Sequence, residues 1–220
     1  MEIGLIVLAT MLIALLGWLL KSSFNTQPWI AGAVEESAHQ APFNAGSKLV
    51  GLTAFMAVVT SFFALTLSAY SLRMDFGDWV PLTEPQLLWA NTGMLVLASM
   101  VFQWTRNAAV SGRTQQLKPG LLLAGLLTAA FLVGQLVAWQ QLNASGHYIT
   151  SNPANSFFYL LTGLHGLHIL GGMFVWASAT IRAFSGGDVK AIGRSVELCT
   201  IYWHFLLLVW IVLFGLLLST

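Results

Sequence analysis

The chain has 220 residues, of which 57% are hydrophobic and 8% charged, with a formal net charge of +1 and a mean hydropathy of +0.76. Soluble domains carry about 25% charged residues, so a water-soluble globule is excluded, and the high hydrophobic content excludes a disordered chain. The near-zero charge offers no grip on a phosphate backbone, and the single cysteine, Cys199, excludes a disulfide framework or a multi-cysteine metal site. An integral membrane protein is what remains.

Six apolar stretches free of Asp, Glu, Lys and Arg come close to the ~20 residues needed to cross a bilayer: Ile3–Leu20, Leu49–Leu72, Leu87–Trp104, Leu121–Trp139, Phe157–Ile181 and Cys199–Leu218. Their continuous hydrophobicity does not fit a membrane β-barrel, whose strands alternate. The expected fold is an all-α integral membrane protein with six transmembrane helices. The first stretch lacks a basic n-region and a small-residue cleavage site, so it reads as a retained helix, not a signal peptide. The third is diluted by Asn91, Thr92 and Gln103.

Between the first two stretches, Lys21–Ser47 is polar, with a short helix expected around Ala31–Ala38. Its length is unusual for a connection inside a compact bundle. The expected division is therefore residues 1–46, an appended helix with its linker, and residues 47–220, a five-helix core. Basic residues set the orientation. Lys21 and Lys48, then Arg106, Arg113 and Lys118, then Arg182, Lys190 and Arg194 lie in alternate connections, which therefore face the cytoplasm. Asp78 and His147 fall on the opposite side, and so do both termini.

Candidate chemistry centres on histidine and one acid. His165 and His168 lie three apart on nearly one helix face, and His204 sits near the middle of the last stretch, at a depth comparable with His168. A metal or haem site is conceivable, but few other ligand types lie nearby, so cross-helix hydrogen bonding is the expected role. Glu197 is seven residues before His204 and shares its face. It is either a solvated interface residue or a group near a proton path, and Arg194 could neutralise it as an (i, i+3) pair. Gln135, central in the fourth stretch, needs a partner inside the bundle. Gly163, Gly166, Gly171 and Gly172 mark close helix or lipid approach, and Trp203 and Trp210 read as packing.

Two runs carry a family resemblance. Asn152–Gly172, with its His-Gly-Leu-His core, and Glu197–Trp210, which reads Glu-x4-Tyr-Trp-His-Phe-x3-Val-Trp, resemble the signatures of subunit III of haem-copper respiratory oxidases. Asn91–Trp104 and Phe131–Trp139 resemble two further helices of that family, and the likeness spans roughly Ser47 to Thr220. It implies the short bacterial form of cytochrome c oxidase subunit 3, with one extra helix in front. Such a chain is an accessory subunit in the bacterial inner membrane, with both termini periplasmic here.

The resemblance also implies no catalytic residue and no cofactor in this chain. Haem and copper belong to partner subunits, namely the catalytic subunit I and subunit II, with a small subunit IV in some assemblies. Bound phospholipid and support of proton uptake are expected, with Glu197, His204, Tyr202, His165, His168 and Gln135 as the structural or uptake-supporting candidates. Val58-Val59 and Leu207 stand where many members carry carboxylates, which leaves Glu197 as the matched acid in the membrane region. The alternatives are the same subunit of a quinol oxidase or nitric oxide reductase, and an independent channel or transporter.

The orientation is directly testable. Single cysteines beside His147 should react with an impermeant thiol reagent added from the outer side, whereas those beside Arg113 should be protected. The reverse pattern would invert the topology.

Overall fold

A computed structural model describes residues 45–82, 85–186 and 188–219. It contains α1 (Ala45–Arg73), α2 (Leu87–Val110), a 3-10 turn (Thr114–Gln116), α3 (Leu117–Ala144), α4 (Pro153–Phe184) and α5 (Val189–Leu218). Five described helices are thus long and apolar enough to cross a membrane. The expected helix Ile3–Leu20 and most of the linker behind it lie outside the described residues.

All five helices overrun the charge-free stretches. α2 continues past Trp104 through Arg106, α3 takes in Lys118, α4 takes in Arg182, and α5 begins at Val189, ten residues before Cys199, taking in Lys190, Arg194 and Glu197. Backbone hydrogen bonding does not stop where charge begins, since long basic side chains extend toward water from a helix that continues into the interface. Arg106 and Glu197 are consequently helical residues and not loop residues.

Sequence-local chemistry sets the ends. Asn152 caps α4 by accepting from the Ala154 N–H at 3.0 Å, and Pro153 takes the first turn. Asp188 caps α5 by accepting from the N–H groups of Lys190 (3.2 Å) and Ala191 (3.1 Å). α2, α3 and α4 each stop at a Ser-Gly pair whose glycine has positive φ: Gly112 (69°), Gly146 (85°) and Gly186 (75°). Beyond α1, Arg73 holds Asp78 with two hydrogen bonds of 2.7 and 2.5 Å. That guanidinium keeps the Asp78 carboxyl below the usual carboxylate range. The clasp therefore persists at neutral pH and loosens only as acid protonates Asp78.

By contacts the chain divides into two units, one ending at Leu72 and one running from Arg73 to Thr220. In the first, α1 buries a stripe of Met56, Val59, Thr60, Phe63, Leu67 and Tyr70. Its hydroxyls bond within the helix, as with Thr60 to the Met56 carbonyl at 2.8 Å and Thr66 to that of Phe62 at 2.9 Å. Polar groups of a spanning helix need such partners, because lipid supplies none.

In the second unit, α2 packs on α3, α3 on α4, α4 on α5 and α5 back on α2. Trp203 and Trp210 are fully buried, as expected of packing residues. Trp203 lies 4.3 Å from Phe102 between ring centroids, and Trp210 lies 5.0 Å from Phe131. Each indole N–H crosses to another helix. Trp203 donates to Thr128 (3.0 Å), Trp210 to Thr92 (2.9 Å), Trp176 to the Leu121 carbonyl (2.9 Å) and Trp139 to Thr162 (3.1 Å). A large apolar surface is buried in each case without stranding the polar atom.

Glycine makes room for these rings. A Cβ on Gly172 would stand 2.8 Å from Tyr202 Cε1, and one on Gly125 would collide with the Trp176 indole. Gly163 faces Trp139 at ordinary contact distance, while Gly171, expected at a close approach, faces nothing within 4 Å. Trp176 is held by its bond to Leu121, so it cannot swing away. Gly125→Val should therefore lower stability by about 1–3 kcal/mol, read as a reduced thermal midpoint in detergent. Gly171→Val should be nearly silent on this unit, and equal midpoints for the two variants would refute the account.

Candidate functional site

The candidates separate into an outer seam and an interior group. The seam runs between antiparallel α2 and α5. Glu197 Oε1 accepts from Arg106 Nη2 at 2.8 Å, with side chains 47% and 36% exposed respectively. Three residues further along α5, just under one turn, Thr200 donates to the Phe102 carbonyl at 3.2 Å. His204 then bonds through Nδ1 to Ser99 and through Nε2 to Gln103 Oε1 at 3.1 Å. Near the far end, Trp210 reaches Thr92. Steps up α5 match steps back down α2, so one register satisfies all four links.

Donor directions within the seam can be assigned. Gln103 Nε2 donates to Asn107 Oδ1 at 3.0 Å, which fixes Gln103 Oε1 as the acceptor toward His204. His204 therefore donates from Nε2–H, and its Nδ1 shares a hydrogen bond with the Ser99 hydroxyl. Hydrogen bonds thus run Ser99, His204, Gln103, Asn107 without a break. The expected cross-helix bonding of His204 holds. Glu197 and His204 do share a face, and each bonds to its own partners on α2, Arg106 for the first and Ser99 with Gln103 for the second.

Glu197 takes its partner from another helix. Arg106, not Arg194, closes the ion pair. The (i, i+3) geometry along α5 offered Arg194, whereas the fold brings a cation from a residue 91 positions away. Ser99, Gln103, Arg106 and Asn107 were missing from the sequence candidates. The available signal was a polar residue at every fourth position of α2, namely 99, 103 and 107, which is one stripe along a helix.

The remaining candidates face inward. Tyr202 donates to the His168 backbone carbonyl at 3.0 Å, tying α5 to α4, and His168 Nδ1–H donates within its own helix to Leu164 at 2.7 Å. His165 is fully buried, 5.1 Å from Trp210 and 5.9 Å from Phe131 between ring centroids. Neither of its ring nitrogens has a hydrogen-bond partner among the described residues, so the expected cross-helix bond is not formed there. Its surroundings are aromatic on two sides. Gln135 is also buried, and its amide has no hydrogen-bond partner among the described residues, contrary to expectation.

Gln135 borders a groove of about 300 Å³ between α3 and α4. Leu132, Leu136 and Trp139 form one wall, and Gly163, Gly166 and Leu167 the other. The two glycines give the groove its depth, since side chains there would fill it. Its lining is almost wholly apolar. Among the described residues, no three of His, Cys, Asp and Glu come together as a metal-binding group. His168 and His204 lie at similar depth but on different sides of α5, the first behind Tyr202 and the second against α2.

Comparison with known proteins accounts for the whole length. Residues 2–218 match the family described as cytochrome c oxidase subunit III. A protein of Nocardia farcinica named "Probable cytochrome c oxidase subunit 3" is 33% identical over 144 residues, covering 63% of this chain and 70% of the relative. One of the same name from Mycobacterium tuberculosis is 32% identical over 170 residues, covering 75% and 84%. The cytochrome c oxidase subunit 3 of Synechocystis is 28% identical over 173 residues, covering 76% and 73%. The seam, with its Glu197 and His204, lies in α5 inside the matched region, and the described helices have the length and hydropathy of spans. This multi-pass membrane chain belongs to the cytochrome c oxidase subunit III family.

Proposed function

We propose that the chain is the accessory subunit III of a bacterial cytochrome c oxidase, seated in the plasma membrane with both termini outside. It packs beside the haem- and copper-bearing catalytic subunit and binds neither cofactor itself. The observation that carries this reading is the family match across residues 2–218. Residues 47–220 serve as the core module, and the segment before them as an appended helix and linker.

The proposed contributions are two. The first is lipid retention. The apolar α3–α4 groove, with Trp139 at one end and two glycines in its wall, suits an acyl chain. The second is support of proton uptake from the cytoplasmic side. Glu197 lies about 12 Å along α5 from its start, half-exposed and held by Arg106, where an acid can exchange protons with water. His204, Tyr202, His165, His168 and Gln135 take positioning roles around it and in the interior. Electron transfer and oxygen chemistry belong to the partner subunits.

Removal of the subunit tests the assignment. Gentle stripping of this chain from the purified oxidase should leave the haem absorption bands unchanged. Activity should start near normal and then decay over successive turnovers. Loss of haem bands on clean removal would overturn the accessory reading.

The ion pair separates structural from proton roles. A partly exposed pair is worth about 0–1 kcal/mol, so Glu197→Gln and Arg106→Gln should each shift the thermal midpoint only slightly, and the double variant no further. Assembly should persist in all three. Glu197→Gln should in addition slow turnover at alkaline pH, where protons are scarce, whereas Arg106→Gln should retain the carboxylate and most of the rate. A normal pH profile in Glu197→Gln would remove it from proton uptake.

A further inference from the structure

Most of the outer surface of the α2–α5 unit suits lipid. α3 turns Leu122, Leu126 and Leu136 outward, and α4 turns Leu167, Leu170 and Phe174 outward. The α2–α5 seam breaks this rule. His204 is exposed although it sits at the middle of a 30-residue helix, which is about 45 Å long against a hydrocarbon core of ~30 Å. Gln103 is half-buried and Asn107 exposed on the same face, and the Arg106–Glu197 pair flanks them.

Lipid tails offer no hydrogen bonds, so polar groups at this depth face protein or enclosed water. The bonds inside the seam do not exhaust it. The run from Ser99 through His204 and Gln103 ends on Asn107 Oδ1, which leaves the Asn107 amide N–H groups without a partner among the described residues. Charge defines what could meet such a surface. Arg106 neutralises Glu197, so the ion pair leaves no net charge on the seam. A strongly acidic or basic helix would gain nothing there. A face of hydroxyl, amide or backbone carbonyl groups would.

We propose that the α2–α5 seam is the surface by which this chain docks on the haem-bearing subunit, against a transmembrane face carrying uncharged hydrogen-bonding groups between the midplane and the cytoplasmic end. The proposal rests on the reading as subunit III and adds to it the face that is used. Docking buries His204, Gln103 and Asn107 away from lipid and supplies acceptors to the Asn107 amide. It also places Glu197 at the rim of the joint, open to the cytoplasmic water.

Photo-cross-linking in the intact, detergent-extracted complex tests this. A benzophenone amino acid is introduced at Gln103, at Asn107, and separately at Leu126 and at Phe174. Irradiation should join the chain to the haem-bearing subunit from positions 103 and 107, with the product lost at 126 and 174. As a second measurement, Gln103→Leu combined with Asn107→Leu should remain inserted and monodisperse but lose co-purified haem. Cross-links from Leu126 or Phe174 alone would overturn the proposal while leaving the subunit III reading intact, as would products only with lipid or with this chain's own residues before Arg73. Undiminished haem in the double variant would do the same. Failure of the unaltered chain to co-purify any haem-bearing subunit would overturn both readings.

Discussion

Hydrocarbon gives a polar atom nothing to bond with, and the α2–α5 register is the arrangement through which this chain meets that constraint. Arg106, Phe102, Ser99 with Gln103, and Thr92 on α2 meet Glu197, Thr200, His204 and Trp210 on α5 at four successive levels. A slide by one turn would break all four together, separating the charged pair and leaving neutral polar groups deeper in the seam unsatisfied in lipid. Individually these links are modest, since cross-helix hydrogen bonds in membranes contribute on average ~0.6 kcal/mol. Their value lies in being mutually consistent, which makes one register much better than its neighbours. The position of Glu197 follows from that register.

Tryptophan and glycine carry the same logic around the rest of the unit. Four indoles cross helix boundaries and spend their N–H groups on hydroxyl or carbonyl acceptors, while glycines such as Gly125 and Gly172 let the rings approach. In lipid there is no hydrophobic force between helices, so close van der Waals contact has to hold them. Asn91, Gln135 and His165 depart from the pattern, with side-chain polar atoms buried and unpartnered among the described residues. Buried groups of this kind are ordinarily satisfied by internal water. They sit in the interior of the unit and on the edge of the α3–α4 groove.

These two arrangements divide the unit between an aromatic interior and a polar seam, whose one acid on α5 is tied to an arginine and half-exposed. Exposed apolar residues on α3 and α4 and a polar face on α2 and α5 give the unit two unlike sides.

Fold class was written in the sequence, because charge-free runs of spanning length admit few alternatives in a bilayer. Membership of the family was legible too, from Asn152–Gly172 and Glu197–Trp210, since motifs dense in His, Gly and Trp are rare in otherwise monotonous apolar helices. Helix ends were not, because the charge-free criterion stops at Trp104 and Cys199 while hydrogen bonding continues through Arg106 and back to Val189. The partner of Glu197 was equally hidden. Spacing along one helix can nominate Arg194, but only the packing of α5 on α2 selects Arg106, ninety-one positions away. The same holds for His165 and His204, two imidazoles in similar apolar contexts. Tertiary structure closes the first between Phe131 and Trp210 and leaves the second on a polar surface, because which face of a uniformly apolar helix turns inward is decided by its neighbours.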